Sequence, residues 1–200
     1  MNVVFDLGGV VVAWNPTAII ERAVADPAAR PSAMHHIMRH PDWLELDRGT
    51  LELDEAIRRA TARSGLDEAL VRGVVESVPA SLVANDDTVA LMRRVKAAGN
   101  ALYCLSNMPT GSMAYLEQRY DFWDLFDGAV ISSRVHYCKP EREIYEHLLN
   151  TYDLIANDTV FIDDVAANVE GARAVGMRAI QFVDVEQTER SLRDMGCLPP

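Results

Sequence analysis

Short apolar runs that each end in polar residues recur along the chain, at residues 3–5, 101–105, 129–131, 160–162 and 179–183. Runs this short and this continuously apolar are typical of strands buried on both faces of a parallel sheet. Helical spacing of apolar residues fills the intervals, at residues 86–98, 110–119, 141–151 and 166–175. The alternation predicts an α/β fold whose core is a Rossmann-like, doubly wound parallel sheet.

A different pattern follows the first run. Residues 15–83 carry helical patterns at 17–25, 32–39, 53–62 and 66–75, and no segment among them has a strand pattern. Proline and glycine interrupt the stretch repeatedly, as in loops between short helices. We therefore predict an all-helical cap, residues 15–83, inserted into an α/β core that comprises residues 1–14 and 84–200.

Charge and composition narrow the classes of partner. The 200 residues carry a net charge of -11, which disfavours nucleic acid and anionic membranes as partners. The N-terminus has no basic region before its apolar run, so we do not expect a signal peptide, and no segment is apolar enough to span a bilayer. Three cysteines without paired spacing indicate free thiols and a cytoplasmic protein. A monomer and a homodimer are equally compatible with this sequence.

Polar side chains stand where the predicted strands end. Asp6 follows the first run, Ser106 and Asn107 follow the second, and Asp163 and Asp164 follow the fourth. Ligands of open parallel sheets bind beyond the carboxyl ends of the strands, so these five residues are expected to meet in one crevice. Three carboxylates placed together raise one another's pKa unless a cation compensates them.

Mg²⁺ is the cation that best suits such a crevice, because it takes oxygen ligands and retains waters for substrate phosphate. Lys139 adds a further positive charge if its loop reaches the same rim. Carboxylates, a metal, one lysine and small polar donors together indicate phosphoryl transfer.

Four segments carry a resemblance to a known family. They are FDLGGVVV (residues 5–12), LSN (105–107), KP (139–140) and FIDDVAANVEGA (161–172). In order and spacing they resemble the four motifs of the haloacid dehalogenase-like hydrolases, and the helical insert lies where that family places its type-1 cap. Within the family the chain is most similar to the branch of bacterial α-D-glucose-1-phosphate phosphatase and the N-terminal phosphatase domain of soluble epoxide hydrolases.

The resemblance implies a role for each residue of the crevice. Asp6 is expected to be the nucleophile that forms an aspartyl-phosphate, and also a metal ligand. Asp164 and the backbone carbonyl of Gly8 complete the direct ligands. Asp163 is expected either to bind the metal through water or to orient Lys139, and Asn168 to steady the waters of the metal.

Phosphate binding is assigned by the same resemblance. Ser106 and Asn107 are expected to grip the phosphoryl oxygens. Lys139 is expected to neutralise charge on Asp6 and on the group in transfer. The implied function is Mg²⁺-dependent hydrolysis of small phosphate monoesters, with sugar phosphates such as glucose 1-phosphate as the first expected substrates.

One position departs from the family pattern. Most phosphatases of the family read Asp-x-Asp in the first motif, and the second Asp protonates the leaving group, whereas residue 8 is Gly here. Loss of a general acid slows a reaction by about 10²–10⁴-fold. A residue of the cap, a bound water or a better leaving group could compensate, and an anomeric sugar hydroxyl is such a leaving group.

Two other functions remain open at this stage. A 2-haloacid dehalogenase would use Asp6 without a metal, although the acidic pair at residues 163–164 argues against it. A non-catalytic phospholigand-binding or interaction module would explain Gly8. Transfer of the phosphoryl group to an acceptor sugar instead of water is a variant of the main function.

The cap contains further candidates. Trp43, Asp47 and Arg48 lie in HPDWLELDRGT, a stretch with a loop-like composition. This stretch either faces the crevice and contacts the substrate, which would make Trp43 and Arg48 substrate-binding residues, or belongs to the interior and surface of the cap. His40 is a minor candidate for the missing proton donor, and a zinc site at residues 35–40 is disfavoured because no paired ligand motif lies nearby.

Overall fold

A five-stranded parallel sheet forms the core of the protein in the computed structural model, which describes residues 1–199. The strand order is β3-β2-β1-β4-β5. The bounds are β1 Asn2–Phe5, β2 Ala101–Ser106, β3 Gly128–Ile131, β4 Thr159–Asp163 and β5 Arg178–Gln181. This topology confirms the predicted doubly wound α/β fold, and each predicted strand is present.

The sheet is buried on both faces because its strands are apolar on both sides. Val3 and Phe5 of β1 point into one apolar cluster, whereas Val4 between them points into another on the opposite face. Successive side chains of a strand alternate in this way. The register aligns Phe5 with Cys104 of β2 and with Ile162 of β4. The residues that follow these positions therefore emerge at the same edge of the sheet.

Five helices lie between β1 and the rest of the core. They are α1 Pro16–Ala23, α2 Arg30–Ala33, α3 Pro41–Arg48, α4 Leu53–Ser64 and α5 Glu68–Ser81, with a π-helix at Met34–Met38. They enclose an apolar cluster of their own, which includes Ile19, Ile57 and Val74. We call residues 15–83 the cap. The chain leaves and re-enters the core at one place, where the N–H of Ala13 donates to Val83 O at 2.7 Å.

The cap differs from the sequence-based expectation at one functional segment. The stretch predicted to be loop-like forms α3, and this prediction was wrong. Proline is tolerated at the first helical position, and His40 Nδ1 accepts the N–H of Asp42 at 3.1 Å, so the helix begins at Pro41. Gly49, in the left-handed conformation with φ 74°, ends it. The exact domain boundaries at residues 14 and 83 stay a prediction.

Six helices follow the cap within residues 84–199 and flank the sheet. They are α6 Asp86–Ala97, α7 Thr110–Arg119, α8 Ser132–Val135, α9 Arg142–Thr151, α10 Ala166–Ala174 and α11 Val185–Asp194, with 3₁₀ turns at Phe122–Leu125 and Ala156–Asp158. The first, second, fourth and fifth of these were predicted, whereas α8 and α11 were not. Among the helices of residues 1–199, none has the length and apolar character to cross a membrane.

Candidate active site

Three carboxylates meet at the carboxyl edge of the sheet, as the topology predicts. Asp6 continues β1, and its N–H donates to Ile162 O of β4 at 2.9 Å, which fixes its position relative to that strand. Asp163 ends β4, and Asp164 follows it. One carboxylate oxygen from each of the three lies within 4.8 Å of the other two. Asp6 lies 157 positions before Asp163 and 158 before Asp164 in the sequence, so only the parallel sheet brings it to the other two.

Lys139 lies between two of these carboxylates. Its Nζ is 2.8 Å from Asp6 Oδ1 and 2.6 Å from Asp163 Oδ2, and its side chain is 1% exposed. The backbone of Lys139 is held by Asn107, whose Nδ2 donates to Lys139 O at 2.9 Å and whose Oδ1 accepts the Lys139 N–H at 2.8 Å. The loop therefore brings the ammonium group to the sheet edge, which is the condition on which the expected role of Lys139 depends.

The carboxylate of Asp163 is saturated by contacts within the protein. Besides Lys139, it accepts the N–H of Val165 at 2.8 Å, and Asn168 Nδ2 lies 3.1 and 3.0 Å from its two oxygens. Asp163 is fully buried. Of the two roles considered for it, the contacts match the orientation of Lys139. Asn168 contacts Asp163 directly and also borders the cleft.

Burial shifts the pKa of two of the three clustered carboxyl groups, Asp6 and Asp164. Burial raises the pKa of the Asp6 carboxyl to about 7, Lys139 opposes this shift, and the Asp163 and Asp164 carboxylates reinforce it. Burial also raises the pKa of Asp164, again reinforced by Asp163. A hard divalent cation would reverse both shifts, because it favours the ionised carboxylates. An oxygen-rich donor set of this kind fits Mg²⁺.

A cleft of about 280 Å³ opens above these groups, between the cap and the core. Asp6, Gly8, Asp164 and Lys139 lie at its polar end. The remainder is mostly apolar and includes Trp14, Met38, Trp43, Val78, Leu82 and Met108. The rings of Trp14 and Trp43 pack at 5.8 Å between centroids, so a residue before α1 and a residue of α3 form one aromatic wall of the cleft.

The structure separates the two predicted substrate-binding residues of the cap. Trp43 borders the cleft, whereas Arg48 is not among the cleft residues of the described chain. The Arg48 guanidinium forms a two-point ion pair with Glu141, at 2.8 and 2.6 Å, and donates to His136 O at 3.3 Å. Arg48 thus joins the cap to the loop before α9, and its placement gives no support to a contact with substrate.

The two residues predicted to donate hydrogen bonds to phosphate also differ from each other in their position relative to the cleft. Asn107 borders the cleft, but its amide is engaged with the backbone of Lys139. Ser106 is 1% exposed and is absent from the cleft lining in the described chain. Their phosphate-binding roles stay predictions, which require a small rearrangement of Ser106 or of the Asn107 amide when phosphate binds.

Sequence reasoning named Asp47 in this stretch of the cap but assigned it no role, and the structure brings it to the cleft. It lies on the last turn of α3 and borders the cleft with Asp6, Gly8 and Lys139. Burial raises the pKa of its carboxyl to about 7, Lys139 lowers it, and the Asp6 carboxylate raises it. The sequence could have placed Asp47 beside the cleft only if α3 had been recognised as a helix, since Trp43 and Asp47 are four residues apart and share a helix face.

Comparison with known proteins identifies the family. Residues 1–176 match the haloacid dehalogenase-like hydrolases. A sesquiterpene phosphatase of Aspergillus oryzae is 31% identical over 97% of this chain and 96% of its own length. The chain therefore belongs to the haloacid dehalogenase-like hydrolases, which confirms the predicted family and the predicted class of enzyme, a hydrolase.

Two further similarities agree with this assignment. Bifunctional epoxide hydrolase 2 of Mus musculus is 36% identical over 42% of this chain, a match that covers only 13% of that longer protein. A HAD family enzyme of Bacteroides thetaiotaomicron, solved in complex with magnesium and inorganic phosphate, superposes with a TM-score of 0.72 at 18% identity. The superposition covers 90% of this chain and 92% of that one, and it supports the α/β fold described above.

Proposed function

We propose that the protein is a Mg²⁺-dependent phosphate monoester hydrolase in which Asp6 is the nucleophile. The observation that carries the proposal is the placement of Lys139, whose ammonium bridges Asp6 and Asp163 at 2.8 and 2.6 Å beside the carboxylate of Asp164. A lysine in this position favours the ionised form of Asp6 and orients it for attack on an anionic phosphate. The similarity to a named phosphatase over nearly the whole chain supports the same chemistry.

The chemistry divides into two displacements. Asp6 attacks phosphorus, the bond to the alcohol oxygen breaks, and an aspartyl-phosphate forms; water then attacks phosphorus and frees Asp6. Mg²⁺, held by Asp6, Asp164 and the carbonyl of Gly8, would supply charge neutralisation at the phosphate. Lys139 contributes positive charge from the protein side, and Ser106 and Asn107 remain the proposed donors to the phosphoryl oxygens.

The lining of the cleft bears on the substrate. Sugar phosphates, the first expectation, would need polar partners for several hydroxyl groups, but the cleft beyond its polar end is lined mainly by Trp14, Trp43, Met38, Leu82 and similar apolar side chains. Apolar pockets of this kind bind apolar groups, and a few polar side chains fix their orientation. The geometry therefore favours the monophosphate of an apolar alcohol over a sugar phosphate.

A second cavity extends the apolar space. It has a volume of about 380 Å³ and shares Trp43, Val78, Pro109 and Ser112 with the first cleft. Further apolar lining comes from α3 and from the C-terminal half of α5, including Leu46 and Val75. A long hydrocarbon chain could run from the polar end, past Trp43, into this cavity. The description of the Aspergillus oryzae relative as a sesquiterpene phosphatase agrees with such a substrate.

The remaining parts of the proposal are a small phosphorylated metabolite as the partner, a monomer or homodimer, and a cytoplasmic location. Three free, buried cysteines are compatible with a reducing compartment. The dehalogenase alternative is disfavoured because the Asp163 and Asp164 carboxylates beside Asp6 would repel a carboxylate substrate. Metal dependence separates the two, since dehalogenation through Asp6 needs no cation.

The test is phosphate release from a panel of monophosphates, with Mg²⁺ and with EDTA. The panel contains glucose 1-phosphate, a sesquiterpenyl monophosphate, octyl phosphate and p-nitrophenyl phosphate. Asp6→Asn removes the nucleophile, and Asp87→Asn is the matched control, because Asp87 is exposed on α6. We expect turnover that needs Mg²⁺, is lost in Asp6→Asn, is kept in Asp87→Asn, and is fastest with the apolar esters. Release that persists in EDTA or in Asp6→Asn would refute the proposal, and fastest turnover of glucose 1-phosphate would refute only its apolar substrate.

A further inference from the structure

The leaving group of the proposed reaction needs a proton that Gly8 cannot supply. An alkyl alcohol departs poorly as an anion, and residue 8 has no side chain. Three acidic side chains border the cleft in the described chain, namely Asp6, Asp47 and Asp164. Asp6 and Asp164 belong to the nucleophile and the metal cluster. The third acid, Asp47, comes from the cap and has no assigned task.

We propose that Asp47 is the general acid and base of this enzyme, in place of the acid that is missing at residue 8. The proposal rests on the phosphatase function proposed above. It assigns the proton transfer to a side chain of the cap, whereas the nucleophile and the metal ligands belong to the core.

Asp47 borders the cleft, and its carboxylate has no protein partner among the described residues. Within residues 1–199 it forms no hydrogen bond and no ion pair, although it borders the same cleft as Asp6, Gly8 and Lys139. The acidic side chains nearby on α3 are engaged instead, Asp42 by Arg63 at 2.7 Å and Glu45 by Thr50. A polar group that faces a cleft without a protein partner is available to a ligand.

The backbone around Asp47 is fixed to the core, which gives its side chain a defined position. Ser132 Oγ of α8 donates to Asp47 O and also accepts the N–H of Met108 at 2.9 Å. Arg48, the next residue, is clamped by Glu141. At Gly49 a side chain would not fit, because a Cβ there would lie 2.6 Å from Ser133 O. These contacts place the end of α3 tightly against the sheet edge that carries Asp6 and Lys139.

The surroundings of Asp47 let it hold a proton near neutral pH. The charged and titratable groups that face it are Lys139, Asp6 and the thiol of Cys138. Burial is the main reason that its pKa rises to about 7, and the Asp6 carboxylate adds to the effect, while Lys139 opposes it. A general acid–base works best with a pKa near the working pH, because it must give up and regain a proton in each turnover.

The proton and the bonds balance over the cycle. In the first displacement, Asp6 Oδ bonds to phosphorus, the phosphorus–alcohol bond breaks, and protonated Asp47 gives its proton to the departing oxygen, which leaves as the neutral alcohol. In the second, the Asp47 carboxylate takes a proton from the attacking water, the bond between phosphorus and Asp6 breaks, and inorganic phosphate leaves. Asp47 ends protonated and Asp6 ends ionised, as they began.

His40, the other cap residue considered for this task, is placed elsewhere. Its Nδ1 caps α3 by accepting the N–H of Asp42, and the residue is not part of the cleft lining in the described chain. Asp47 therefore has the position that His40 lacks.

The experiment compares two leaving groups in native protein, Asp47→Asn and Glu45→Gln. Glu45→Gln is the matched control, since it makes the same change from carboxylate to amide on α3 outside the cleft. Octyl phosphate needs a proton on its leaving oxygen, whereas p-nitrophenolate departs as a stable anion. In Asp47→Asn we expect kcat/KM for octyl phosphate to fall by about 10²–10⁴-fold and kcat/KM for p-nitrophenyl phosphate to change by less than about tenfold. Glu45→Gln should lower neither value.

An equal loss with both substrates, or no loss with octyl phosphate, would overturn the role of Asp47 while leaving the phosphatase function intact. Native protein that hydrolyses neither substrate in Mg²⁺ would overturn both. A second measurement needs no variant. For native protein, the ratio of kcat/KM for octyl phosphate to kcat/KM for p-nitrophenyl phosphate should fall as the pH rises through about 7, because only the first substrate requires protonated Asp47. A ratio independent of pH would contradict the proposal.

Discussion

Replacement of Lys139 by methionine should destabilise the protein strongly, because one buried ammonium serves two carboxylates. Lys139 Nζ lies 2.8 Å from Asp6 and 2.6 Å from Asp163, and the three side chains are 1%, 9% and 0% exposed. Methionine matches the length and apolar stem of lysine and removes the charge together with its hydrogen-bond donors. Loss of one partner from a buried ion pair costs about 3–5 kcal/mol, since it leaves an uncompensated charge.

Two carboxylates lose their partner here, so we expect the upper end of that range, about 5 kcal/mol. For a chain of this size, such a loss lowers the midpoint of thermal unfolding by about 10–20 °C. The loss of stability should be larger at pH 8 than at pH 6, because protonation of Asp6 at the lower pH relieves its repulsion with the Asp163 carboxylate. Adding Asp163→Asn to the variant should restore part of the stability, since an amide there removes one of the two uncompensated charges.

The matched control is Lys96→Met. Lys96 Nζ lies 2.6 Å from Asp127, as close as the buried contact, but the two side chains are 33% and 43% exposed. An exposed ion pair contributes about 0–1 kcal/mol. Chemical and thermal unfolding in EDTA, followed by circular dichroism, measures the stability of both variants and of native protein. If Lys139→Met destabilises the protein no more than Lys96→Met does, the buried network described here is wrong.

Three further predictions concern the cleft. Gly9→Ala should abolish turnover and weaken Mg²⁺ binding measured by calorimetry, since residue 9 has φ 78° and an added Cβ would lie 2.5 Å from Asp164 Oδ2; unchanged Mg²⁺ affinity would contradict this contact. Asp47→Asn should stabilise the protein above pH 7 but not near pH 4. A carboxyl whose pKa rises from 3.8 to about 7 on folding binds more protons in the native state, so native stability falls as the pH rises through that window. Urea unfolding measures the free-energy difference between Asp47→Asn and native protein, and a difference that is the same at pH 4 and pH 8 would refute this prediction. Trp43→Ala should raise KM for an apolar monophosphate about tenfold or more through lost apolar contact, with little change for p-nitrophenyl phosphate, and equal effects on both would exclude a tail-binding role.

The core and the meeting point of its acids were predictable from the sequence for one physical reason. Strands such as β1 are buried on both faces, so their apolar runs are continuous and easy to recognise. A parallel sheet aligns the carboxyl ends of its strands, so Asp6 and Asp163 had to lie at one edge whatever the intervening chain does. Topology alone therefore linked residues that lie more than 150 positions apart in sequence.

The cap side of the cleft was not predictable in the same way. The charged segment around α3 has no clear apolar periodicity, so its helix rests on a proline at its start, the cap by His40 and the contact of Gly49 with Ser133. These features lie at the two ends of the helix or involve residues distant in sequence, so an apolar pattern along the chain does not reveal them. Arg48 was considered for the substrate, but its partner Glu141 lies 93 positions away and no local pattern reveals the pair. For the same reason, only the folded structure shows that Asp47 borders the cleft.

The central claim is that the phosphoryl group passes through Asp6, and trapping it there is the most direct test. Native protein mixed with octyl phosphate and Mg²⁺ is quenched in acid during turnover, reduced with sodium borohydride, which converts an aspartyl-phosphate to homoserine, and digested for peptide mass spectrometry. The account predicts homoserine at position 6, none at positions 47, 163 or 164, and none anywhere when substrate is omitted. Turnover without homoserine at position 6, or with homoserine in place of another aspartate, would contradict the account.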